Sequence, residues 1–378
     1  MSNPEIPSEQ APEEPEQAQL PTDERLVALI GAALPGASIL AVQAFGIDAA
    51  PSGATAKGAG YGAPLRIDVE RAGQRSSVVL HTSTSNAFGH DRRSDRAAEM
   101  LLAADTFASM PDHTRALDVG AFRDDGGFVS LSGTGEFYLL TDFAEGEPYA
   151  QSLRRIADRS SLESSDLMRV ERLAAYLARL HAEPLVLPFA RERALRDLFG
   201  SGEGIFGIVD GYPETAPGVS PAHLRRIEAL CVDWRWRLKR IARPLVRTHG
   251  DFHPFNVLFD ARDEPVFLDA SRGCAGEAAD DVTCMALNYP FFALERADAW
   301  PRFSVLWYRF WARYLELSRD DGVLRVAAPF LAWRALVLAS PVWYPKLSGE
   351  ARARLLAFAE TALSAEAFAP ESVERMFR

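Results

Sequence analysis

Cysteine is scarce in this 378-residue chain: Cys231, Cys274 and Cys284 stand far apart and form no C-x-x-C pair. An odd, scattered set excludes a disulfide framework and a structural zinc site, and buried free thiols are the expected state. Long apolar runs are missing too. No stretch of eighteen apolar residues occurs, and the first residues carry neither the basic start nor the apolar centre of a secretory signal. A cytoplasmic protein with no membrane partner is expected. A basic surplus is also lacking, since the formal charge is −11. Seven of these negative charges lie in residues 1–24, which contain no Lys or Arg, so the rest of the chain is near −4. That balance excludes a basic face for nucleic acid and leaves only a mild attraction for cationic compounds.

What is present begins with a tail. Residues 1–23 are rich in Pro, Glu, Gln and Ser, and cannot bury enough surface to offset the entropy of ordering, so a disordered acidic segment is expected there. The remaining chain is ordinary for a globular protein, 48% hydrophobic and 25% charged, and is long enough for two lobes. From 24 to 145 the pattern predicts a small sheet with one helix. Strand-like runs occur at 37–45, 63–70, 76–82, 116–122 and 136–143, and the helix SDRAAEMLLAADTFASM covers 94–110 between the third and fourth. From 146 to 378 the pattern turns helical, with long amphipathic stretches at 167–181, 222–242, 303–318 and 324–339; Pro329 bends or starts an element in the last. Among them sits a compact strand-loop-strand block, LVRTHGDFHPFNVLFDARDEPVFLD, at 245–269. The predicted class is α+β in two lobes, a sheet-bearing N-terminal lobe and a larger helical one.

Inside that block, His249-Gly-Asp-Phe-His-Pro-Phe-Asn256 admits three readings. His249, Asp251 and His253 alternate as metal ligands on a strand would, but the other histidines are isolated, and a hydrolytic metal site needs more donors in one cluster. A bare His-Gly-Asp is usually a turn. The downstream residues change the balance: Asn256 follows Asp251 at D-x4-N spacing, and Asp269 ends an apolar strand thirteen positions later. Phosphoryl transfer needs an aspartate for the acceptor hydroxyl, and an amide oxygen and a carboxylate for magnesium. Asp251, Asn256 and Asp269 supply those groups in that order.

HGDFHPFNVLF followed by VFLDASRGCAGEAADDV resembles the catalytic and metal segments of the aminoglycoside phosphotransferase and choline kinase-like family, which has a protein-kinase-like fold. The resemblance runs over 25–378 and implies an ATP- and magnesium-dependent kinase acting on a small-molecule hydroxyl. It makes Asp251 the catalytic base and Asn256 and Asp269 the magnesium ligands. His249 would brace the loop, and Asp281 would serve the large lobe structurally. TDFAEG, with Asp142, resembles the hinge that receives adenine. LARLH (177–181) resembles a helix end under the catalytic loop. Glu99 fits the helix glutamate that pairs with a strand-three lysine.

The lysine itself is missing, because its position reads His81, and the only lysine of the N-terminal lobe is Lys57. A neutral imidazole donates one hydrogen bond and carries no charge. Two rescues are open: His81 acting as a cation against phosphates and Glu99, or Lys57 reaching in from GATAKGAGYG (53–62), a glycine-rich stretch without a strict phosphate-loop pattern. After Asp269 the chain has Ala270-Ser271-Arg272, where the family often places an aromatic and an acidic residue. These departures keep an alternative alive, a pseudokinase-like module that binds nucleotide or another ligand without turnover. Glu277 and Asp280 are candidate carboxylates for a cationic acceptor. The aromatic residues Trp234, Trp236, Trp307, Tyr308 and Trp311 fit core packing better than an acceptor pocket. The acceptor and the oligomeric state are not legible.

Overall fold

The structure is a computed structural model and describes residues 23–44, 64–270, 272–273, 275–294 and 296–377. The acidic tail to residue 22, Lys57 with the glycine-rich stretch 53–62, Ser271 and Cys274 lie outside the described residues. The chain divides into two compact units, with the division between Leu140 and Thr141.

In the first unit, α1 (Asp23–Ala33) precedes β1 (Ala37–Ala44), β2 (Leu65–Arg71) and β3 (Gln74–Leu80), followed by α2 (Arg93–Phe107) and a hairpin of β4 (Gly120–Phe122) and β5 (Phe128–Ser130). The sheet is an antiparallel β1-β2-β3 meander, with Ile67 opposite both Val42 and Val78. Side chains alternate across a pleated strand, so Leu65, Ile67 and Val69 of β2 all turn to one face and are buried there. Leu26 and Ile30 cover that face from α1, a helix the sequence reading did not anticipate, although their i, i+4 spacing marks it.

The expected strand at 136–143 is not formed. No described strand pairs with it, and Tyr138, Leu139, Leu140 and Phe143 are almost fully exposed. A strand needs a neighbour to take up its backbone hydrogen bonds, and the short β4–β5 hairpin satisfies its own. The expected helix at 94–110 forms as α2, yet none of its residues is buried.

The second unit opens with β6 (Glu147–Pro148), α3 (Tyr149–Asp158), α4 (Ser164–Leu180), β7 (Pro184–Leu185), α5 (Ala190–Phe199), α6 (Ile205–Asp210) and α7 (Pro221–Arg240). It continues through β8 (Leu245–Arg247), β9 (Val257–Phe259), β10 (Pro265–Phe267), β11 (Ala275–Gly276), α8 (Ala279–Ala286), α9 (Asn288–Leu294), α10 (Trp300–Ser318), α11 (Ala327–Ala339) and α12 (Gly349–Ser364). Apolar residues at helical spacing bury one stripe of α4 (Val170, Leu173, Leu177) and of α10 (Phe303, Trp307, Phe310, Tyr314). Each such side chain contributes about 1.5–3 kcal/mol when fully buried. Helix α11 is buried almost all round, with Pro329 in its first turn, where a missing N–H costs nothing. Trp234, Trp307 and Trp311 belong to this core, and Trp236 is exposed. Cys231 and Cys284 are buried free thiols.

Two small antiparallel sheets position the loop of interest. In one the order is β11-β8-β7, in the other β10-β9-β6, so β8 and β9 are both central strands. Residues 248–256 connect them and are therefore anchored at both ends by strands paired on each side. Gly146 lets β6 approach β9: a Cβ there would lie 2.8 Å from the Leu258 Cβ and 3.0 Å from the Phe259 carbonyl oxygen.

Candidate active site

The loop is fixed from below by a carboxylate. Asp281, in the first turn of α8 and wholly buried, accepts the backbone N–H of His249 (2.7 Å) and of Gly250 (2.8 Å). His181, at the C-terminal end of α4, lies 3.2 Å from the same carboxylate through Nε2 and 3.0 Å from the Tyr314 hydroxyl through Nδ1. A carboxylate held by backbone amides at a helix start is favoured by the helix dipole as well. Phe252 points the other way and is fully buried against Tyr176, Phe267 and the His249 ring. Gly250 takes φ +83°, and a Cβ there would meet the Arg272 Cβ at 3.0 Å, so the turn tolerates no side chain.

These restraints leave Asp251 with its carboxylate among four polar neighbours. His253 Nε2 lies 3.3 Å from Asp251 Oδ2; because His253 Nδ1 accepts from the Phe255 N–H at 3.2 Å, Nε2 is the nitrogen that donates. The Asn256 side-chain nitrogen donates to the Asp251 carbonyl (3.1 Å) and to Oδ2 (3.3 Å). Arg334 of α11 approaches Oδ1 at 3.4 Å, donates to the Gly250 carbonyl at 3.1 Å and ion-pairs with Asp280. Arg272 reaches within 3.9 Å of Oδ1 and 3.3 Å of Glu203. Both guanidiniums lie over the Trp333 ring, at 4.9 Å for Arg272 and 3.9 Å for Arg334. Burial pushes the Asp251 carboxyl up, but the His253 hydrogen bond and the charges of Arg334 and Arg272 outweigh it and hold the group well below the usual carboxylate range. Asp251 is therefore ionised at neutral pH.

Across the β9–β10 hairpin, Val257 pairs with Phe267, and the Leu268 N–H donates to the Asn256 carbonyl at 2.9 Å. Asn256 and Asp269 thus leave the same end of the hairpin. Asp269 is exposed and takes φ +54°, a conformation that Asp tolerates better than most residues and that turns the chain out of the strand direction. Among the described residues no three His, Cys, Asp or Glu side chains gather as a metal site. Magnesium does not need such a cage: it is held by one or two carboxylates together with substrate phosphates and water. The donor set fits. With its nitrogen committed to Asp251, Asn256 has its oxygen left for a cation, and Asp269 adds an accessible carboxylate.

The remaining expected residues fall elsewhere. His81 follows the last residue of β3, is exposed, and lines a cavity of about 690 Å³ within the N-terminal unit, together with Leu80, Met100 and Phe107. Glu99 lies on α2 and has its carboxylate 3.7 Å from His90 Nε2, a neighbour the sequence reading did not name. Asp142 is exposed and makes no hydrogen bond or ion pair among the described residues. Glu277 is not turned toward an acceptor: it is buried and paired with Arg243 at 3.0 Å, which is also held by Asp320 at 2.7 Å. Asp280 is committed to Arg334.

Burial pushes the Asp280 carboxyl up to about 6, with Arg334 opposing and the charge of Asp281 adding to the rise. Between pH of about 4 and 6 the folded state keeps a proton that the unfolded chain has released, so this group makes stability fall as pH rises through that window. Comparing urea unfolding of the wild type and Asp280→Asn across pH 4–7 should expose that slope, on the order of 2–3 kcal/mol in total, in the difference between them. Parallel pH curves would contradict it.

A model of the phosphotransferase enzyme family (APH) matches residues 115–317, more than half of the chain. The chain belongs to that family. The match takes in the loop 248–256, Asp269 and Asp281 and leaves out His81, Glu99, Trp333 and Arg334. No curated protein sequence matches. Among solved structures, this APH-family chain is similar to a glucosamine kinase in complex with glucosamine, ADP and inorganic phosphate, at 18% identity and TM-score 0.39. That alignment covers 57% of this chain and 58% of the glucosamine kinase chain, so it spans little more than half of that relative. A choline kinase from Streptococcus pneumoniae aligns at 12% identity and TM-score 0.36, over 90% of this chain and 98% of that one. An aminoglycoside-3'-phosphotransferase of type VIII aligns at 20% identity and TM-score 0.29, over 82% and 98%. Among the described residues, no helix of this family member is long and apolar enough to cross a membrane.

Sequence reasoning does not find Arg334 as a neighbour of Asp251, nor Trp333 and Glu203 as the residues that hold Arg272, and it reads Arg272 only as a departure. Arg334 stands 83 positions from Asp251, and no spacing rule connects them.

Proposed function

We propose that this APH-family protein is an ATP- and magnesium-dependent kinase that phosphorylates a hydroxyl group of a small molecule. The observation that carries the reading is the Asp251–Asn256 pair: the asparagine amide is fastened to the aspartate, with Asp269 leaving the same end of the hairpin. In this reading the Asp251 carboxylate accepts a hydrogen bond from the acceptor hydroxyl, orients its lone pair and takes its proton as the new bond forms. A carboxylate held so firmly ionised is a weak base, which suits a loose transfer in which the hydroxyl gives up its proton late. Asn256 and Asp269 would hold magnesium, which neutralises charge on the phosphates when bound. His249 and Asp281 keep the loop in register. His81, Glu99, Lys57 and Asp142 are proposed on the nucleotide side. The acceptor class is open, and with Glu277 and Asp280 both committed to arginines, neither is a ready contact for a polycation.

Calorimetric titration of ATP onto the full-length protein, with and without magnesium, tests the nucleotide half of the proposal. Binding should depend on magnesium in the wild type, and Asp269→Ala should lose that dependence, with a loss on the order of tenfold or more. Absence of ATP binding up to millimolar concentration in the wild type would overturn the kinase reading.

A further inference from the structure

We infer that Arg272 is a catalytic residue of the proposed transfer, contacting the phosphoryl group as it passes to the acceptor; the inference rests on the kinase reading above. The sequence shows a cation missing where the resemblance expects one, at His81. The structure brings a different cation to the reacting end. Arg272 lies on the loop after Asp269, and its guanidinium comes within 3.9 Å of the Asp251 carboxylate. A hydroxyl hydrogen-bonded to that carboxylate sits about 2.7 Å from it, and the phosphorus it attacks lies roughly 3–3.5 Å beyond. Both fall within the span of a guanidinium anchored beside the same carboxylate.

Two features separate Arg272 from its neighbour Arg334. Arg334 is 6% exposed in its side chain, and both of its terminal nitrogens are held, by Asp280, Asp251 and the Gly250 carbonyl. Arg272 is 27% exposed, and its shortest ion pair, at 3.3 Å, is to Glu203, a side chain that is 71% exposed. An ion pair of that kind holds its partner weakly, so exchanging it for the charge of a phosphoryl group costs little. The Trp333 ring 4.9 Å beneath keeps the guanidinium plane oriented while its donors change partner. The packing of the Arg272 Cβ against Gly250 fixes the root of the side chain to the loop that carries Asp251.

In the transfer, the acceptor oxygen forms a bond to the γ-phosphorus, and the bond from that phosphorus to the β,γ-bridging oxygen breaks. ADP leaves with the electron pair, and the hydroxyl proton goes to Asp251 and then to water. Arg272 donates hydrogen bonds to the phosphoryl oxygens during that passage and is unchanged at the end. Arginines in this position relative to a transferred phosphoryl are worth about 10³–10⁵ in rate elsewhere.

The test uses Mg-ADP with tetrafluoroaluminate, a planar mimic of the transferring phosphoryl, so that no acceptor is needed. Affinities of Mg-ADP with and without the fluoride complex are measured by calorimetry for wild type, Arg272→Gln and Arg272→Lys. The wild type should bind Mg-ADP about 100-fold more tightly when tetrafluoroaluminate is present; Arg272→Gln should lose most of that gain, Arg272→Lys should keep part of it, and Mg-ADP alone should bind all three within about threefold. An equal gain in wild type and Arg272→Gln, or no gain in the wild type although Mg-ADP binds, overturns the role of Arg272 and leaves the kinase reading standing. No binding of Mg-ADP to the wild type overturns both. Should Arg272→Gln fail to fold, Arg272→Lys alone decides, since a fixed cation of different geometry must reduce the gain.

Discussion

Asp251→Asn is expected to lower phosphoryl transfer by about 10³-fold while leaving Mg-ATP affinity within a fewfold of wild type. The substitution keeps the shape of the side chain and an oxygen for the His253 and Asn256 contacts, at 3.3 Å each in the wild type, but removes the proton acceptor. General-base contributions run to about 10²–10⁴, and the upper half applies here because Asp280 and Glu277 are tied to arginines and Asp269 is assigned to magnesium in the proposed reading. Single-turnover phosphate transfer with a series of hydroxyl acceptors, beside a nucleotide titration, measures both quantities. A variant as fast as wild type would remove Asp251 from the mechanism. A wild type that binds Mg-ATP and transfers nothing, to any acceptor or to water, would favour the binding module. The stability linkage has a definite sign. Because the folded carboxyl is held below its ordinary value, its contribution is present above pH of about 4 and is lost as pH falls further, so Asp251→Asn should be less stable than wild type at neutral pH and approach it in acid.

The largest structural effect is expected at Asp281. In Asp281→Ala, two backbone N–H groups and the His181 imidazole lose their acceptor together, and all three belong to buried residues. Losing a buried charged partner of this kind costs about 3–5 kcal/mol. For a protein of this size that corresponds to a drop in melting temperature on the order of 5 °C. Calorimetric melting of Asp281→Ala, with His181→Ala and the double variant completing a cycle, separates the shared part. The two single costs should exceed the double cost by at least about 1 kcal/mol. Additive losses would mean that the His181–Asp281 contact at 3.2 Å contributes nothing of its own.

The helices of the second unit were legible because their signal repeats. The stretches 167–181, 222–242 and 303–318 return as Ser164–Leu180, Pro221–Arg240 and Trp300–Ser318, each with a buried stripe that recurs every three or four residues. The strand at 136–143 failed for the opposite reason. An apolar run states that residues want burial, and says nothing of which strand will take their backbone bonds. The short helix Asp23–Ala33 escaped notice because it adjoins an acidic segment whose composition dominated the reading. At the site, the motif residues could be found from spacing within one loop and one hairpin. The arginines could not, since Arg334 belongs to a helix whose sequence looks like uniform core, with a single charge among apolar neighbours. A buried charge in such a helix is the one available signal, because it must be paired.

That helix also sets the limits of modularity. Arg334, with its guanidinium over the Trp333 ring, reaches Asp251 from α11, beyond the matched stretch 115–317, and α11 is itself enclosed by the unit's hydrophobic core. A chimaera that grafted the loop and hairpin onto a related scaffold would import the aspartates and the asparagine without the cation that holds Asp251 in place. A transplant of this chain's loop and hairpin is therefore expected to keep the Asp251 environment only when α11, which supplies Arg334, travels with it.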